Sequence, residues 1–174
     1  MPKILPITRF GNPILRQPAR QLTPAEILSQ KTQILIADMR HTSKEKEYGV
    51  GLAAVQVGQP LALSLIAIKP NKLRPERQPF DSVIINACYQ GIGKKVLLWE
   101  GCMSCGNGDD ILFAQVPRFA KIKAQWLDQN AVSHEEILED FVAHVFQHET
   151  DHQQGVLFVD KVEDPSSYMM ADEY

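Results

Sequence analysis

Apolar residues recur at Ile27, Leu28, Ile34, Leu35 and Met39, roughly one face of a helix, and predict a helix over 24–41. Thr23 with Glu26 three positions on has the form of a capping box, and Pro24 takes the first helical position. The helix fades into the charged Lys44, Glu45, Lys46 and Glu47. Strands follow over 61–68, 82–88 and 95–99, apolar and partly β-branched runs bounded by Pro, Gly or charge. Over 121–126, Lys121, Lys123 and Gln125 alternate with Ile122, Ala124 and Trp126, the period of a half-buried strand. Asp128, Gln129 and Asn130 would turn the chain into a hairpin partner over 132–138. A second helix is predicted over 139–154, with Glu139 and Asp140 at its positive end and Gly155 just beyond its last turn. One helix, a block of antiparallel strands and a second helix predict an α+β fold, not a parallel doubly wound sheet. No repeat or boundary divides the chain, so 1–174 reads as a single domain with a short tail from about 163.

Composition narrows the function. The 174 residues suffice for one sizeable core. A net charge of -3 without a basic stripe argues against nucleic-acid binding; Lys72, Arg74 and Arg77 are scattered along a Pro-containing stretch that reads as a loop. No apolar run approaches the ~20 residues that span a bilayer. The patch Ile4, Leu5, Pro6 and Ile7 is too short for a signal peptide, so a cytoplasmic protein without a membrane partner is expected. Three cysteines, Cys88, Cys102 and Cys105, are too few for a disulfide framework and read as ligands, nucleophiles or buried residues.

Residues 148–152 read H-E-T-D-H, an instance of H-E-x-x-H on the second predicted helix. Four residues is just over one turn, so His148 and His152 project from one face and can meet a single metal ion between them. Glu149, about 100° around the helix, stands where a carboxylate can take the proton of a nearby water. The same face carries Phe141 and Val145 and should be buried, which makes unpaired imidazoles there costly. His144 extends the row, but the helix climbs about 12 Å from it to His152, too far for one ion to reach all three. His144 is therefore either a satisfied core histidine or a wall of a substrate pocket. A catalytic site needs a third protein ligand, a cysteine or a carboxylate. Cys102 follows the strand over 95–99 at the start of a Gly-containing loop. Earlier, residues 49–56 pack two glycines and two alanines ahead of Gln56, small residues that allow close backbone approach to a ligand.

These three segments, G-V-G-L-A-A-V-Q at 49–56, E-G-C-M-S at 100–104 and H-E-T-D-H at 148–152, together resemble the peptide deformylase family. The resemblance runs from Gly11 to Val162. It implies antiparallel sheets around a central metal-binding helix, and a monomeric catalytic domain. It implies Cys102, His148 and His152 as ligands of one divalent ion, ferrous iron in the cell, with zinc, nickel or cobalt able to take its place. The implied activity removes the formyl group from formyl-methionine of nascent peptides, the ribosome's product. Glu149 would be the acid/base, with the Gln56 side-chain amide and the Met103 N–H stabilising the oxyanion. Val50, Gly51, Leu98, Phe141, His144 and Val145 would contact substrate.

The chain departs from the family at several points. After Ser104 the family usually has an apolar residue, Pro and soon an Arg that holds the peptide; here Cys105, Gly106, Asn107, Gly108, Asp109 and Asp110 follow, and the next Arg is Arg118. Val55 replaces a common Pro and Met103 a common Leu, while His144 replaces an aliphatic pocket residue. A deformylase-like enzyme for a different N-formyl or N-acyl amine is one alternative. A non-catalytic Cys₂His₂ binding module using Cys105 as well is another.

Overall fold

The computed structural model of the chain describes residues 1–45, 49–70, 78–106 and 110–174. Lys46, Glu47, Lys72, Arg74, Arg77, Asn107, Gly108 and Asp109, read above as charged or loop segments, lie outside the described residues.

The helix expected over 24–41 is two helices, α1 (Pro24–Leu28) and α2 (Gln30–Glu45). The capping box forms: the Glu26 carboxylate accepts from the Thr23 N–H at 2.8 Å, and the Thr23 hydroxyl accepts from the Glu26 N–H. Ser29 causes the break because its hydroxyl serves both sides. It donates to the Glu26 carbonyl at 2.7 Å and accepts from the Thr32 N–H at 3.3 Å, on an extended backbone. The break resets the helical phase. Ile27 and Met39 are buried as expected and Ile36 joins them, whereas Leu28 and Ile34 face outward.

The strands are β1 (Gly51–Ala53), β2 (Leu63–Ile68), β3 (Phe80–Gly101), β4 (Leu112–Leu127), β5 (Ser133–Glu139) and β6 (Met169–Met170). They form one antiparallel sheet in the order β1-β2-β3-β4-β5, with β6 on the edge of β4. The separate strands expected over 82–88 and 95–99 are the two ends of β3. Its glycines bend the strand without ending it. The register shifts between Ile92 and Lys95, where Gly93 has φ +76°, and a Cβ on Gly91 would lie 2.4 Å from the Phe119 ring. β4 likewise begins well before the alternation at 121–126, and Pro117 does not stop it. The Gln115 N–H points away from β3 to the Ser167 hydroxyl, so the N–H that Pro117 lacks belongs to the same outer edge.

The hairpin β4–β5 and the helix α3 (Asp140–Gln153) follow the expected pattern, and Gly155 closes α3 with φ +73°. α3 touches β1 to β5 and is buried along most of its length. Val142, Ala143 and Phe146 pack with Ile66, Ile84, Ile122 and Trp126 in one cluster. A second cluster joins α1 and α2 to β1 and β2 through Ile27, Ile36, Met39, Leu52 and Leu65. The short tail from about 163 folds back onto the sheet, with Met169 and Met170 pairing Phe113 and Leu112. Among the described residues no helix is long and apolar enough to cross a membrane.

Candidate metal centre

Packing of Val142, Ala143 and Phe146 against the sheet fixes the rotation of α3 and turns His148 and His152 toward the end of β3. Cys102 leaves that end and enters a 3-10 turn, Met103–Cys105. One ligating atom from each of Cys102, His148 and His152 lies within 4.8 Å of the others. The Cys102 sulfur is 3.4 Å from His152 Nε2, and the two imidazoles stand nearly perpendicular with centroids 4.9 Å apart. His148 uses Nδ1 on Glu100 Oε2 at 2.8 Å, which leaves Nε2 for the centre. The trio attracts positive charge. The S–H of Cys105 donates to the Cys102 sulfur, and this bond, with the nearby imidazoles, outweighs burial and holds the Cys102 thiol well below its ordinary pKa. Burial opposes charge on His148, but its bonds to Cys102 and Glu100 prevail and raise it well above the usual imidazole range. A thiolate and two imidazoles whose nitrogens face it suit a divalent cation. Cys105 falls outside this group among the described residues and instead donates to the Cys102 sulfur.

Glu100 is the hub behind the centre. Its Oε1 meets His144 Nε2 at 2.9 Å and Arg118 Nε at 2.5 Å, and its Oε2 accepts from Arg118 Nη2 at 3.0 Å. Arg118 reaches on to Asp151 at 2.5 Å, and Lys161 flanks Asp151 at 3.5 Å. Burial pushes the Glu100 pKa up, but the bonds from Arg118, His144 and His148 hold it well below the carboxylate range. Arg118, only 1% exposed, is thus an internal brace, not a peptide-holding arginine. His144 lines the cavity and spends Nε2 on Glu100.

Glu149 is 3% exposed, and its Oε2 has no hydrogen-bond partner. Burial lifts its pKa to about 7, against the pull of His152 and His148. A Cβ on Gly51 would lie 2.1 Å from Glu149 Oε1, so only glycine lets the carboxylate stand there. The Ala53 N–H donates to Gln56 Oε1 at 2.8 Å, which aims the Gln56 amide nitrogen at Cys102 Sγ (3.3 Å) and Ser104 Oγ (3.2 Å). The Met103 N–H opens the 3-10 turn, where amides have no partner within the turn.

A cavity of about 330 Å³ opens over these groups, lined by Val50, Gly51, Gln56, Met103, Phe141, His144, Val145 and Glu149 among others. Leu98 does not line it; its neighbour Trp99 does, as successive strand residues point to opposite faces. The motifs also left unread Ile111, Phe113 and Tyr174, which line the same cavity. No local pattern marks these three. Arg118 did leave a signal, for it continues the buried alternation of Ala114 and Val116 along β4.

The polypeptide deformylase family profile matches residues 4–167. Peptide deformylase 2 of Nostoc sp. is 37% identical over 175 aligned residues, covering 99% of this chain and 94% of the relative. The peptide deformylase of Aquifex aeolicus is 35% identical, covering 97% and 93%. A class I type b peptide deformylase from Acinetobacter baumannii with Met-Ala-Ser bound superposes with a TM-score of 0.84 at 29% identity, over 93% of this chain and 100% of the other. The Thermotoga maritima peptide deformylase superposes at 0.77, also at 29% identity, over 92% and 99%. The chain belongs to the polypeptide deformylase family.

Proposed function

We propose that this chain hydrolyses the formamide of N-terminal formyl-methionine on nascent peptides, giving formate and a free amine. The observation that carries the reading is the convergence of Cys102, His148 and His152 beside the unpartnered, buried carboxylate of Glu149. Met-Ala-Ser in the Acinetobacter baumannii relative is the peptide that such a reaction on formyl-Met-Ala-Ser would leave.

Cys102, His148 and His152 would hold one divalent ion, ferrous iron in the cytoplasm, and the same donors would accept zinc, nickel or cobalt. When bound, the ion supplies a Lewis acid that acidifies water. Glu149 takes the proton of the attacking water at its free oxygen and delivers it to the departing amine nitrogen. A carboxyl that burial raises above its ordinary range suits both transfers. Gln56 and the Met103 N–H donate to the formyl oxygen as it gains charge. The Gly51 backbone runs beside the scissile group, while Val50, Phe141, Val145 and the His144 ring wall the methionine side chain. With His144 Nε2 given to Glu100, that wall stays largely apolar.

Formate release from formyl-Met-Ala-Ser by iron- or nickel-loaded protein tests the reading. Turnover should be present in wild type and fall at least about 10³-fold in Glu149→Ala, with the metal retained. A fully loaded wild type that releases no formate would end it.

A further inference from the structure

Beyond the metal cavity lies a second, larger cleft of about 930 Å³, lined by Phe80, Ile137, Leu138, Glu139 and Val142 on its outer side. Trp99, Phe141, His144 and Tyr174 line both spaces and are the wall between them. Three of these four sit on β3 and α3. The fourth comes from the last segment of the chain.

That segment is pinned at several points before it reaches the cavity. The Gln115 N–H donates to the Ser167 hydroxyl at 3.2 Å, and Met169 and Met170 pair with Phe113 and Leu112. The 3-10 turn Ala171–Glu173 then closes with the Tyr174 N–H on the Ala171 carbonyl at 3.3 Å. Tyr174 arrives stacked on Phe113, with centroids 4.9 Å apart and planes 7° from parallel, and edge-on to Trp99 at 5.5 Å. Phe113 in turn lies over Gly101, where a Cβ would come within 2.6 Å of its ring. A row of rings thus runs from the backbone beside Cys102 out to Tyr174. Tyr174 remains 58% exposed, so it offers free ring surface to whatever enters the cavity.

We infer that Tyr174 is a specificity-determining residue, which closes one side of the cavity and sets the width of the slot for the first side chain of the peptide. The inference rests on the deformylase reading and deepens it. The substrate class favoured is a formylated peptide whose first side chain is long, unbranched and apolar. Such a chain lies along the Tyr174–Trp99 rings and gains contact along its length, whereas a bulky ring is refused while the wall stands. Without the ring the two spaces merge, and the slot loses one side. The ring contacts of Tyr174 are with Trp99 and Phe113, not with the metal ligands, so its effect belongs to binding and selection.

The test compares wild type, Tyr174→Ala and Tyr174→Phe, all metal-loaded, on formyl-Met-Ala-Ser and formyl-Phe-Ala-Ser. Tyr174→Ala should raise KM for the methionine peptide at least about five-fold with kcat within about two-fold. Its preference for Met over Phe in kcat/KM should fall at least about three-fold. Tyr174→Phe, which keeps the ring, should restore both values. An unchanged KM and preference in Tyr174→Ala would overturn the inference, as would a fall in kcat that tracks lost metal or a lowered melting temperature. If wild type releases no formate, the deformylase reading fails on its own. Calorimetric binding of Met-Ala-Ser to wild type and Tyr174→Ala then decides the role of Tyr174: weaker binding by the variant supports it, and equal binding overturns it.

Discussion

Glu100, Arg118 and Asp151 brace His148 at the cavity floor through buried, charge-assisted bonds, whereas Trp99, Phe113 and Tyr174 meet at the rim through ring packing. Arg118 is 1% exposed at the floor and Tyr174 58% exposed at the rim. A buried charge that loses its partner keeps its desolvation penalty, so the floor admits almost no substitution without a large cost. A ring that leaves the rim forfeits only packing, so the rim can change while the reacting groups stay in place. Chemistry and selectivity are therefore held by physically separate devices in this protein.

The largest effect should come from breaking the floor. Arg118→Met leaves Glu100 and Asp151 buried without their shared cation and should cost about 3–5 kcal/mol, measured by urea unfolding of the metal-free protein. A loss below 1 kcal/mol would show that the floor is no more constrained than the rim.

Glu149 follows, a buried carboxylate whose Oε2 has no hydrogen-bond partner among the described residues. Its carboxyl titrates near 7 in the folded chain because of burial, against 4.5 ordinarily. The folded state holds the proton that the unfolded state gives up, so the metal-free protein loses stability as pH rises from about 4.5 to about 7. The loss is on the order of 3 kcal/mol at 1.36 kcal/mol per unit. Glu149→Gln removes it and should melt roughly 5–10 °C above wild type at pH 8, with the gap closing toward pH 4.5. A constant gap across that range would contradict the assignment.

Glu100→Gln should weaken metal binding by about 10–100-fold, because the carboxylate no longer fixes the His148 ring and its Nδ1 proton. Competition with a chelator reads this directly. The rim variant Tyr174→Ala should leave metal affinity unchanged and show only its several-fold shift in KM, the smallest effect of the set.

The contrast also marks what the sequence made legible. His148, Glu149 and His152 are spaced by the helix itself, so one period of backbone geometry places all three. Gln56, Cys102 and Met103 came from segments whose meaning rested on family resemblance; the Ala53 N–H that orients Gln56 and the 3-10 turn that frees the Met103 amide appear only in the fold. The α1–α2 break at Ser29 escaped notice because a serine hydroxyl bonds the backbone equally well inside or between helices. The glycines of β3 suggested an end where the fold makes a bend. Tyr174 was illegible because its role depends on a strand pairing across more than fifty residues, which no local period encodes. His144 lay between the two cases: its row on the helix was readable, but its partner Glu100 was not.

Cys102, His148 and His152 with Glu149 form the proposed hydrolytic centre for formyl-peptides. Formate release from formyl-Met-Ala-Ser, measured alongside metal content in protein purified without oxygen, tests it most directly. Wild type carrying about one iron per chain should turn over, and Glu149→Ala carrying the same iron should not. Full metal occupancy with no formate from wild type, or undiminished turnover in Glu149→Ala, would contradict the account.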